Sequence, residues 1–379
     1  MGGAASDGLR FAGKLLALID GMNRSASYKY ATLLALIDEA TAELGRLGRE
    51  PTVLRGRLVG RRVVESYWPQ TRPFGPRALT QSPQNDIPAK LAAWRVAHRL
   101  PAHEPLAGAA AADPVGWARL EAELVGVVIG MPLAKLQRFG SGRAVTEDRF
   151  IYDFGWPDEV SWGVTARADF DDTMPLRPGV GEWLVELGPL VRPVVQARWA
   201  TWVAGLNTDL VDTAQLDGFL FGAVRHDLTP LRRPLLRAQR HRCFYCPRPL
   251  DASVAEVDHF LPWSRQPDNT IDNLVVAHRR CNGDKSASLA SSTHLRAWLR
   301  RSAAGSAGDR ALADASAQAQ WPRRPERTLA SVRGAYLSLY DDQPLWEGVG
   351  AYERADPVAI RRIIERREPP QPEPLSLSL

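Results

Sequence analysis

Residues 241–286 read HRCFYCPRPLDASVAEVDHFLPWSRQPDNTIDNLVVAHRRCNGDKS, and they decide more of the fold than any other stretch. Cys243 and Cys246 form a Cys-x-x-Cys pair, and 31 residues separate it from the His-x-x-Cys pair of His278 and Cys281. A two-residue spacer turns the chain tightly enough for both side chains of a pair to meet one ion, and two pairs supply the four ligands of a tetrahedral Zn²⁺ site. Such an ion pins together segments that a small core holds poorly. All three cysteines of the chain fall within residues 243–281. An odd number cannot pair off as disulfides, which points to thiolate ligands in a reducing compartment, the cytoplasm. The competing reading is a redox Cys-x-x-Cys of a thioredoxin-like unit, but no βαβ pattern surrounds it and Pro247 follows Cys246 directly.

Working outward, 379 residues exceed the usual span of one core, so two or three domains are expected. With 45% hydrophobic and 24% charged residues the chain has the composition of a soluble globular protein. No run of 18 apolar residues occurs, and Asp7, Arg10 and Lys14 interrupt the N-terminal apolar stretch, so neither a membrane span nor a signal peptide is expected. Net charge is +5, which permits a polyanionic partner without demanding one. Residues 9–19 and 28–44 carry apolar side chains at helical spacing, with Tyr30, Leu33, Leu34, Ile37 and Leu44 on one face and Ser25 and Ser27 as caps. Prolines 69, 73, 76, 83 and 88 break any long element over 68–90; helices are predicted over 89–99 and 114–127, with a loop at 101–114. Aromatic and β-branched residues between Gly, Pro and Asp suggest short strands or loops over 149–173. A helical pattern returns after Pro193, with Trp199 and Trp202 as core, and again over 287–301, 327–340 and 356–367.

Between the knuckles, Asp258-His259, Pro262, Asp272-Asn273-Leu274, Cys281-Asn282 and Lys285 resemble the signature of HNH nucleases. The resemblance covers about 60 residues and implies a ββα-metal fold. It places a strand ending near His259, a second strand over Leu274–Ala277 and a helix beginning near Cys281. It further implies that His259 is the general base, that Asp258 and Asn282 hold a catalytic divalent ion, and that Asn273 holds the loop and orients the base. Many family members carry cysteine where His278 stands, and Asn282 occupies a position that is histidine in others.

The residue types suit these roles. Hydrolysis of a phosphodiester needs a base near neutral pH, which histidine provides. Negative charge growing on the phosphate and the leaving oxygen needs a hard cation, Mg²⁺ or Mn²⁺, on oxygen ligands. Because Asp258 and His259 are adjacent, a regular strand would turn them to opposite faces, so a twist or bend is expected there. Each residue also has a bland reading: His259 as a core histidine, Asp272 or Asn273 as turn formers, Asn282 as a helix-end residue.

The chain is therefore read as α+β and multidomain. It divides into a helical N-terminal domain at 1–130, a mixed α/β middle region at 131–231, an HNH nuclease domain at 232–302, a C-terminal helical extension at 303–368 and a disordered tail at 369–379. Residues 232–301 hold thirteen Arg and Lys against six Asp and Glu, a net of +7, so cationic charge gathers around the expected site. Arg265, Arg279, Arg280 and Lys285 are the expected phosphate contacts, and His241 and His294 could touch substrate. DNA is expected from the resemblance alone, in a role such as restricting foreign DNA, with a protein partner or a second copy engaged through the N-terminal region. The competing functions are a zinc-stabilised nucleic-acid binder without catalysis and an RNA-cutting nuclease. Asp169, Asp171 and Asp172 form an acidic cluster that reads more naturally as a surface loop than as a metal site.

Overall fold

Four consecutive apolar residues, Leu274 to Ala277, are buried on both faces of a strand, Leu274–His278, that lies at the centre of the C-terminal part of the protein. The computed structural model describes residues 2–21, 27–75, 77–82, 86–102, 104–139, 145–209, 213–222 and 228–365. The chain forms two compact units, 1–226 and 227–379. Ser25, Pro76, Pro83 and the 369–379 tail lie outside the described residues.

In the first unit the helix Tyr28–Leu47 packs against Gly56–Tyr67 and Val180–Leu206. Gly188 allows the long helix to come close, since a Cβ there would stand 2.7 Å from Ile37 Cγ2. Ser27 precedes its helix without capping it: its hydroxyl bonds Tyr67 and Gln81 instead. The helix expected after Pro193 begins earlier, at Val180, and runs through both Pro189 and Pro193. The expected 101–114 loop contains a short alanine-rich helix, Leu106–Ala112, in keeping with alanine's high helical propensity. The strand Val53–Arg55 pairs with Thr173–Pro175, so residues on either side of the predicted 130/131 boundary share one unit.

In the second unit Ala255–His259 pairs antiparallel with Leu274–His278, in regular register from Ala255↔His278 to His259↔Leu274. The bend expected at Asp258-His259 does not interrupt this pairing. The helix Arg279–Lys285 follows directly, completing two strands and a helix. Around them pack Thr229–Ala238, Ser292–Ser302, Ala307–Ala319, Pro325–Leu337 and Pro357–Glu365, with a hairpin of Pro344–Gly348 and Ala351–Arg354. One apolar cluster runs from Leu231 through Leu274, Trp298, Tyr336 and Trp346 to Ile360. The segments expected as a nuclease domain ending at 302 and a separate extension from 303 thus share a core.

Candidate active site and metal centre

The two knuckles bring together Cys243, Cys246, His278 and Cys281, whose ligand atoms all lie within 4.8 Å of one another. Tetrahedral thiolates bound at ~2.3 Å stand roughly 3.8 Å apart, so only a small contraction separates this set from zinc geometry. His278 Nε2 donates to the Pro249 carbonyl at 3.1 Å, leaving Nδ1, 3.2 Å from Cys246 Sγ, as the ligand nitrogen. Burial, and then the neighbouring Cys243 and Cys246, push the Cys281 thiol up to about 12. Burial also raises Cys246, but hydrogen bonds from Arg248, Cys243 and His278 outweigh it and bring that thiol down to about 6. Sulfur ligands crowded until they resist ionising together are the setting a divalent cation relieves, and the donor set fits Zn²⁺.

Asp258 and His259 end the strand with different partners. Asp258 is buried; its Oδ2 accepts from the Tyr245 hydroxyl at 2.5 Å and lies 3.0 Å from Lys285 Nζ. His259 Nε2 lies 2.7 Å from Asn269 Oδ1, and the ring meets Trp263 edge-on with centroids 5.4 Å apart. Burial holds the imidazole below its ordinary pKa, against the opposing effects of Asn269 and Asp258. Asn273 is fully buried and spends its amide on the loop: Oδ1 accepts from Leu261 N at 2.9 Å, and Nδ2 donates to the carbonyls of Leu261 and Asp268 at 3.0 and 3.1 Å. It ties the two ends of the 261–268 loop together, and the hydrogen bond to the His259 ring is made by Asn269.

Strand alternation places Glu256 on the same face as Asp258. The helix Arg279–Lys285 lays Asn282 and Lys285, three residues apart, over that face. Asn282 Nδ2 donates to Glu256 Oε2 at 2.9 Å, and among the described residues Asn282 Oδ1 of the same amide has no donor on it. Asp258 and Asn282 are thus brought to one strand–helix face without touching each other. With Glu256 they offer hard oxygen donors of the kind Mg²⁺ or Mn²⁺ takes. Glu256 is a functional candidate the sequence reading missed; its position two residues before Asp258 was the available signal.

Lys285 departs from expectation. It is fully buried, with Nζ on Asp258 and donating to the His259 carbonyl at 2.9 Å, so it reaches no phosphate. Arg265 is half-buried near Tyr336 and Tyr340, and burial lowers its pKa. Arg279 and Arg280 are exposed, Arg279 lying 3.6 Å from Glu256. Arg280 lines an open cleft of ≈ 590 Å³ with Arg248, Pro249, His278, Cys281 and Val349. His294 is a core residue: it is buried, hydrogen-bonded to Ser291 and the Tyr245 carbonyl, and stacked on Trp346. His241 is exposed. In the acidic cluster each carboxylate has a protein partner: Asp169 pairs with Arg167, Asp171 accepts from Thr173 N, and Asp172 accepts from Arg57 N.

Two antiparallel strands, a buried loop asparagine and a following helix form a ββα element beside a Cys₃His cluster. Residues 243–291 match the model of the HNH endonuclease family, which points to a nuclease in general and to nucleic acid as what it binds. No curated protein and no solved structure matches the chain. Among the described residues no helix is long and apolar enough to cross a membrane.

Proposed function

We propose that the protein is a metal-dependent HNH endonuclease that hydrolyses phosphodiester bonds in DNA, with Zn²⁺ on Cys243, Cys246, His278 and Cys281 as a structural ion. What carries this reading is the coincidence of the matched segment with a base whose second ring nitrogen is free: among the described residues, His259 Nδ1 has no hydrogen-bond partner. His259 takes a proton from the attacking water at that atom. A divalent cation on the Asp258 and Asn282 oxygens would supply positive charge to the phosphate and to the leaving 3′ oxygen. Asn273 keeps the loop closed over the strand end, and Glu256 accepts from the Asn282 amide nitrogen, which leaves the amide oxygen for the ion. Arg279 and Arg280 stand exposed on the helix carrying Asn282, where they can meet backbone phosphates.

The test is incubation of the purified chain with supercoiled DNA, single-stranded DNA and RNA in Mg²⁺, Mn²⁺ or chelator. Cleavage of DNA that chelator abolishes is expected, and His259→Ala should lose about 10²- to 10⁴-fold in rate. A His259→Ala protein that cuts like the unaltered chain would falsify the assignment of the base. Binding with no cleavage under any ion would identify a zinc-stabilised binding module instead.

A further inference from the structure

Outside the matched segment, residues 321–328 grip the loop that faces His259. Trp321 Nε1 donates to the Asn269 carbonyl at 2.6 Å, and Thr328 Oγ1 donates to Asp268 Oδ2 at 2.7 Å. Arg323 donates to Asp272 Oδ1 at 3.0 and 2.8 Å. The loop so held presents Asn269 Oδ1 to His259 Nε2. We propose that Asn269 is the positioning residue that fixes the tautomer and angle of the His259 ring, and that the 321–328 segment is a working part of the site because it holds Asn269 there.

Hydrogen-bond capacity decides the tautomer. An amide oxygen accepts and cannot donate, so the proton of the neutral ring sits on Nε2 and the lone pair on Nδ1. A base must offer a lone pair toward water, and the partner of its other nitrogen decides which nitrogen does so. Asn273 cannot perform this task, because its amide is spent on Leu261 and Asp268. Trp263 against the ring limits its rotation, leaving Asn269 to choose the tautomer.

The proposal rests on the nuclease reading for its catalytic consequence and on nothing but the ring for its first measurement. In full-length protein labelled with ¹⁵N-histidine, the His259 resonances, identified by their loss in His259→Ala, should show the Nε2–H tautomer. Asn269→Ala should convert this to a mixture and lower kcat by roughly 10- to 100-fold with KM unchanged. Asn269→Asp keeps an acceptor and should restore the single tautomer. Trp321→Phe, which removes only the indole donor, should move both readouts in the same direction as Asn269→Ala, and less. An Nδ1–H tautomer in the unaltered protein overturns the proposal without need of any variant, as does an Asn269→Ala protein with unchanged tautomer and kcat. An Nε2–H tautomer in a protein that cuts no nucleic acid sinks the nuclease reading and leaves the positioning assignment standing.

Discussion

Lys285 is an ammonium group with no exposure to water, and an isolated cation cannot remain charged in such a place at tolerable cost. Asp258 and the His259 carbonyl make it tolerable, and the Tyr245 ring adds a contact 5.8 Å from Nζ. Buried pairs add little net stability over apolar replacements, but breaking one side strands the other charge. Lys285→Met should therefore cost about 3–5 kcal/mol in urea unfolding, while Lys285→Met combined with Asp258→Asn should be less damaging than the single change. A single variant as stable as the parent would show that the folded protein does not depend on the Lys285–Asp258 pair. The helix face was legible: Asn282 and Lys285 stand three positions apart, so on a helix both face one way. What sequence did not reveal is depth. Residues 282–286 are all polar or glycine and Lys285 reads as a phosphate contact, and only the packing of this short helix on the 255–259 strand shows that the lysine stem runs inward. Asn269 went unread for a related reason, since PDNTIDN is rich in turn formers and nothing local says which asparagine meets the ring.

With Zn²⁺ on the proposed ligands, the strand–loop–strand–helix element would be held by them as well as by its core. His278 ends the second strand and Cys281 sits in the first turn of the helix, so one ion on the proposed ligand set would join both to the Cys243–Cys246 turn. Gln239 adds a backbone-like clamp, donating to the Val276 carbonyl at 2.9 Å and accepting from Val276 N at 2.8 Å. Cys281→Ser should abolish bound zinc, measured by elemental analysis, and lower the melting temperature by something of the order of 10 °C. Full zinc content in that variant would remove Cys281 from the ligand set. This element was the most legible part of the chain because the ligand spacing and the resemblance to HNH nucleases point to the same stretch, 243–281. The helix Ala307–Ala319 was not seen, and the cause is physical: only Leu312 and Ala315 of its thirteen residues are buried, too thin an apolar stripe to register as a period. Its start is nevertheless written in the sequence, since Ser306 accepts from Asp309 N at 3.0 Å as an N-cap.

At the scale of the whole molecule, the predicted break at 302/303 fell on a flexible-looking AAGSAGD stretch, a local property, whereas a domain boundary depends on where apolar area is shared. Phe260, next to the proposed base, stacks on Trp298 at 5.2 Å between centroids and on Tyr336 at 6.2 Å, so the core beneath the site is built from both sides of that break. Leu312, Val332, Leu345, Trp346 and Ile360 belong to the same cluster. Each large side chain so buried is worth about 1.5–3 kcal/mol, and together with Tyr336 they match or exceed the roughly 5–15 kcal/mol by which a domain is stable. Zinc on the proposed ligands would not replace them, because it would tie down the knuckles and not the underside of the strands. A fragment of residues 227–302 should therefore fail to fold with zinc present, while 227–365 should give a dispersed NMR spectrum and a cooperative melt. The opposite result, a folded 227–302 fragment, would mean that the helices after 303 cover the site without supporting it, and that the grip of Trp321, Arg323 and Thr328 on the loop is a late addition to a core already complete.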